Sequence, residues 1–306
     1  MKTLYLNLGM GAAGDMLTAA LFELLSDADK EKALEALKEL NIPGVEFVPE
    51  RSEKCGIVGT HMSVIVNGTE ESEEMFAHSH AHTHDHEHSH DHEHDHEHPN
   101  THDHDHDHNH EHSHDHEHDH SACDAGSAEA TANTEAETEK TDSAENAKLK
   151  MNLPDDVRAD FREIYRIIGK AESKAHGVPV KQIHFHEVGE IDAVADISAA
   201  CLLMRMIAPE QVIASPVNVG WGQVRCAHGI MPVPTPATAN ILKNVPIYNN
   251  NIKGELCTPT GAALLKHFVT TFGPMPQMKV SRIGYGMGKK DFEAANCVVA
   301  MLGETD

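Results

Sequence analysis

The sequence predicts an α+β or α/β fold: one mixed fold built from two chain segments, residues 1–71 and 149–306, interrupted by a histidine-rich insertion at 72–148. Two observations carry this reading. Strand-like and helix-like hydrophobic periods alternate through both flanking segments, as a mixed packed fold requires. Between them the period vanishes, so the insertion is expected to loop out of one fold rather than separate two.

"TLYLNL" (3–8) reads as a strand, "GMGAAGD" as a turn, and "DMLTAALFELL" as a helix with apolar positions recurring at three and four. A second helix, "DADKEKALEALKEL", opens with acidic residues and is stopped by the proline and glycine of "NIPG". "VEFVPERSEKCGIVGTHMSVIV" reads as two strands around a glycine-containing turn. Residues 72–148 begin in a His/Asp/Glu tract and continue as "SACDAGSAEATANTEAETEKTDSAENAK", which has almost no large apolar side chains. Burial there cannot offset ordering entropy, so disorder is expected. Order resumes with "LPDDVRADFREIYRIIGKAESKAHG", a helix opened by Pro154, Asp155 and Asp156 and closed by Gly177. "IHFHEVGEIDAVADISAACLLMRMI" then reads as a short strand and turn leading into an apolar helix, and the last third alternates short strands with proline-rich and glycine-rich turns.

Composition narrows the partners. With 49 acidic against 24 basic residues the formal charge is -25 at pH 7, which repels nucleic acid and anionic membranes and favours a cationic partner. The six cysteines show no C-x-x-C spacing, so neither a thiolate zinc site nor a disulfide framework is expected. No stretch approaches the ~18 apolar residues that span a bilayer. The opening also lacks a leader pattern, so a reducing cytoplasm is the expected location.

The tract between His78 and His120 holds 21 histidines and 13 carboxylates. Its imidazoles are His78, His80, His82, His84, His86, His88, His90, His92, His94, His96 and His98, then His102, His104, His106, His108, His110, His112, His114, His116, His118 and His120. Near neutral pH most are deprotonated and able to bind nickel, copper or zinc. Spacing of two in a flexible chain lets any neighbouring pair chelate, so the tract reads as a store or funnel for metal, against a plain low-complexity spacer.

"GMGAAG", Gly9 to Gly14, fits G-x-G-x-x-G after a strand and before a helix. However, that helix runs into another helix rather than a second parallel strand ending in an acid, which argues against a dinucleotide site. A phosphate held by the turn's N–H groups at the helix start stands beside a plain tight turn, with Asp15 placing a negative charge there unless it holds a cation. "HFHEVGEID" is the densest chemical string outside the tract: His184 and His186 share one face of a strand, with Glu187, Glu190 and Asp192 following. Two imidazoles and a carboxylate can hold a divalent first-row ion with open positions, while a helix-capping turn is the bland alternative. "CAHGIMPVPTPAT", "CTPTGAALL" and "GYGMGKKD" carry His228, Thr235, Thr258, Thr260, Lys289, Lys290 and Asp291 in loops that could face a phosphate or be turns only.

In order, "GAAGDM", "KCGIVGTHMSV", "HFHEVGEIDAVADI", "VNVGWGQVRCAHGIMPVPTPAT", "GELCTPTGAALL" and "RIGYGMGKKDF" resemble the LarC family of nickel insertion proteins across nearly all of both segments. The resemblance implies that Ni(II) is placed into pyridinium-3,5-bisthiocarboxylic acid mononucleotide with cytidine triphosphate (CTP) consumed, the product serving a lactate racemase-type apoenzyme. Two sulfurs and a ring carbon would hold the metal, so a ring C–H proton must leave to a base. His184 and His186 are then the expected metal ligands; Glu187 is the expected base, with His186 and Asp192 in the catalytic set. Gly11, Gly14, Asp15, His228 and Lys289 would contact the substrate. The family's first strand usually ends in Asp-Cys-Phe-Ser, where this chain has Asn7, Leu8, Gly9 and Met10. Family members also continue into a C-terminal part credited with binding CTP and a divalent cation, so a C-terminal partner polypeptide is expected, together with homo-oligomerisation. The contrasting reading is a nickel storage or delivery protein without chemistry.

Overall fold

The structure is a computed structural model that describes residues 1–70, 151–180, 191–226 and 228–306. The expected insertion, and the strand expected at "IHFH", lie outside them. β1 (Lys2–Asn7) is buried at its four central residues, the state of a strand covered on both faces. It pairs antiparallel with β14 (Cys297–Glu304) and parallel with β5 (Gln211–Ala214). The helix after it, α1 (Gly14–Glu23), lies against β14, β13 (Lys279–Met287) and β3 (Ile57–Val66). α2 (Asp27–Glu39) starts where the sequence places acids, with the Ser26 hydroxyl accepting from Asp29 N–H at 3.2 Å as its N-cap.

β2 (Val45–Lys54) and β3 form the expected hairpin, turning through Cys55 and Gly56 at φ of 51° and 78°. Two successive left-handed residues match the right-handed twist of the strands they join. The main sheet has the order β12-β5-β1-β14-β13-β3-β2, with β12 at Thr271–Phe272 and the short β4 (Thr69–Glu70) also paired to β3. It mixes parallel and antiparallel pairs.

Four more helices complete the described fold: α3 (Asp155–His176), α4 (Ile191–Ile207), α5 (Pro236–Ile241) and α6 (Pro259–Phe268). Both segments contribute to one core, in which Leu4, Leu17 and Leu37 join Ile164, Ile168, Leu203 and Leu265. The seam is direct: Asn152 N–H donates to the Leu40 carbonyl at 3.0 Å, and Met151 is buried beside it. Among the described residues no helix is long and apolar enough to cross a membrane.

Candidate functional site

α4 is apolar almost all round, because "AVADISAACLLM" offers no polar stripe to solvent. One residue breaks the pattern: Asp196 is 7% exposed, and its Oδ1 has no hydrogen-bond partner among the described residues. Its other oxygen meets the glycine turn. A Cβ on Gly14 would lie 2.3 Å from Asp196 Oδ2, and the backbone N–H of Asp15 donates to the Asp196 carboxyl. A carboxyl from α4 therefore satisfies an orphan donor at the start of α1.

The turn is seated from the other side as well. Gly11 has φ +78°, and a Cβ there would lie 1.9 Å from the Leu256 carbonyl oxygen. Ala12 N–H donates to that carbonyl at 3.0 Å, and Thr258 N–H donates to the Ala12 carbonyl at 3.1 Å. Thr258 then caps α6 through its side chain, and Thr235 donates to Glu255 at 3.2 Å. Close packing accounts for Gly11 and Gly14.

Around Asp196 the fold gathers Asp15 from α1, Asp192 one helical turn earlier on α4, and Lys289 beyond β13, each acting on it electrostatically. His61 of β3 joins them. Its Nδ1 donates to the Met287 carbonyl at 2.9 Å and lies 3.8 Å from Asp15 Oδ2. Since a carbonyl can only accept, this bond puts the proton on Nδ1. Lys54 donates to the Lys289 carbonyl at 3.2 Å and also pairs with Asp291, tying the lysine loop to the hairpin.

Burial pushes the Asp196 carboxyl well above the usual carboxylate range, and the negative charges of Asp192 and Asp15 push it further; Lys289 and the Asp15 N–H oppose them. Tyr165 of α3 is also raised, by burial first and then by Asp196 and Asp192. The cluster thus couples a buried acid of raised proton affinity to carboxylates that face a lysine and an imidazole, a set suited to holding and moving protons. Burial raises the thiols of Cys201 and Cys257, which removes them as thiolate ligands near neutral pH.

Of the sequence-derived candidates, Gly14, Asp15, Asp192 and Lys289 come together around Asp196, while Gly11 packs on Leu256. His228 instead lies at the turn of the β8 (Gln223–Cys226) and β9 (Gly229–Pro232) hairpin, its ring centre 4.8 Å from that of His176. His184, His186, Glu187 and the tract from His78 to His120 lie outside the described residues. Sequence reasoning missed Asp196, His61 and Tyr165. A signal for Asp196 was present: a single acid inside an otherwise apolar helical run. Among the described residues no three His, Cys, Asp or Glu side chains are gathered into a complete metal site.

Fold and site define an α+β protein in which carboxylates from the first turns of two helices meet an imidazole carried by a strand of the main sheet. The chain belongs to the family described as "Nickel insertion protein", whose model matches residues 4–306. It is 34% identical over 307 residues to the pyridinium-3,5-bisthiocarboxylic acid mononucleotide nickel insertion protein of Clostridium kluyveri, covering 100% of this chain and 63% of that protein. The protein of the same name from Geobacillus kaustophilus is 31% identical over 309 residues, covering 99% of this chain and 60% of its own length. That of Desulfitobacterium hafniense (strain DSM 10664 / DCB-2) is 47% identical over 152 residues, 50% of this chain and 38% of the relative. The chain therefore spans less than two thirds of each of these relatives. No solved structure matches.

Proposed function

We propose that this chain inserts nickel into pyridinium-3,5-bisthiocarboxylic acid mononucleotide, forming the nickel-pincer cofactor of lactate racemase-type enzymes. The family match over residues 4–306 carries this reading. Nickel is cargo, collected by the His78–His120 tract and passed to His184 and His186. Making a nickel–carbon bond transfers a ring C–H proton to Glu187, with His186 and Asp192 sharing the proton traffic. The position of Asp192 beside a buried acid supports that role, because interacting carboxyl groups have proton affinities pushed apart.

Gly11, Gly14, Asp15 and Lys289 are proposed to contact the mononucleotide, Lys289 opposing its phosphate. CTP and a divalent cation are assigned to polypeptide corresponding to the remainder of the longer relatives, which acts with this chain in a cytoplasmic, homo-oligomeric assembly. The test is to incubate the chain, alone and together with the polypeptide corresponding to that remainder, with nickel, the mononucleotide and CTP, and to seek the nickel-containing product by mass spectrometry. Product supports the proposal, and product only with the added polypeptide marks this chain as half of the enzyme; nickel binding without product in both mixtures would identify a carrier instead.

A further inference from the structure

The hairpin that carries His228 is fixed beside the end of α3. Val233 N–H donates to the Gly222 carbonyl at 3.0 Å, and the strand runs on into α5. In α5, Asn240 donates to the Ala171 carbonyl of α3 at 3.3 Å. His176 is the last residue of α3, where unsatisfied carbonyls leave a partial negative charge that favours a cation. The two imidazoles stand 4.8 Å apart, centre to centre, with their planes at 47°.

That separation has a chemical meaning. Imidazole nitrogens bind first-row ions at about 2.0–2.1 Å, so two rings sharing one ion at roughly right to tetrahedral angles have centres about 4.5–5.2 Å apart. The observed 4.8 Å falls inside this interval. Glu172, one turn before His176, places Oε2 3.4 Å from His176 Nε2. A carboxylate on one ring nitrogen orients the imidazole and raises the basicity of the other, as is usual around metal-bound histidines. With Nε2 facing Glu172, Nδ1 is the His176 nitrogen assigned to metal.

We propose that His176 and His228 together bind one nickel ion at the surface of the fold, a two-imidazole station that holds the metal before it reaches the substrate. The choice of nickel rests on the function proposed above; the pairing rests on the geometry. Two imidazoles form a partial coordination shell, which suits an ion that must be released again. His228 thereby serves the metal rather than the mononucleotide.

The test uses the full chain and nickel alone. Histidines are labelled with diethylpyrocarbonate, with and without nickel, and each site is read by peptide mass spectrometry. Nickel is expected to slow labelling of His176 and His228 several-fold, and His228→Ala is expected to abolish the protection at His176. His61 and His267, whose side chains are 12% and 18% exposed, should label equally slowly in both chains and so report an intact fold. Unchanged labelling of the pair, or protection of His176 that survives His228→Ala, would overturn the site. Protection by cobalt or zinc but not by nickel would overturn the nickel assignment. Protection without product in the insertion assay would sink the proposed reaction and leave the station standing.

Discussion

The helices Asp155–His176 and Ile191–Ile207 pack against each other but are built on opposite plans. In the first, six of 22 residues are buried, five of them spaced by three and four along one stripe, and most of the charged side chains lie on the remaining face. In the second, thirteen of 17 are buried, so the helix has no solvent face along most of its length. An ionisable group on the first is ordinary surface, whereas an ionisable group inside the second costs free energy and needs a reason. Asp196 is that group, and its companions at the helix start place the reason where α4 meets the glycine turn. His176, at the far end of the first helix, is informative only because another imidazole faces it.

The contrast can be broken most forcefully at Leu203, which is fully buried in α4. Leu203→Ala is expected to cost about 2–5 kcal/mol through lost transfer energy and a cavity, measured by denaturant unfolding. Next comes Gly14→Ala, whose Cβ would sit 2.3 Å from Asp196 Oδ2. Overpacking here should cost about 1–3 kcal/mol and separate the turn from α4. In a Gly14→Ala, Asp196→Ala double variant the loss should be smaller than the sum of the singles, because the clash and its partner are removed together.

Asp196→Asn tests protonation. The folded-state value of this carboxyl is raised, so between the unfolded value of about 4 and that raised value the native state holds an extra proton. Stability is then lost as pH rises through the window. Thermal melts from pH 5 to 8 should fall more steeply for the wild type than for Asp196→Asn, in which the neutral form is permanent. Titrating groups that do not interact with Asp196 are common to both chains and cancel in the difference. Parallel curves would mean that Asp196 is ionised in the fold. The smallest effect is expected on α3: Arg166→Ala removes an exposed ion pair with Glu163 and should change stability by less than about 0.5 kcal/mol.

The same contrast explains what could be read from the sequence. The acid-led start of α2, the Gly177 stop of α3 and the hairpin with its glycine turn are local devices, written within a few residues, and each formed where its pattern lies. The class of fold follows from them. What a linear reading missed depends on contacts between distant segments. Asp196 matters because Gly14 and Asp15 lie against it, 182 and 181 positions earlier, and His61 because it approaches Asp15 from a third element. His228 reads as a loop residue until α3 brings His176 to it. Glycines 11 and 14 resemble a phosphate turn in sequence, while the fold uses both for close approach to Leu256 and Asp196.

The central claim is that chemistry belongs to the residues leading into α4 and that the histidine tract only supplies metal. It is tested most directly by comparing two variants at saturating nickel, each incubated with the mononucleotide, CTP and the polypeptide corresponding to the remainder of the longer relatives. One carries His184→Ala and His186→Ala with the tract intact; the other lacks residues 78–120 and keeps "HFHEVGEID". The account requires the nickel-containing product from the tract-deleted chain at the wild-type rate and none from the double substitution. Product from the double substitution, or its loss on deleting the tract, would contradict it.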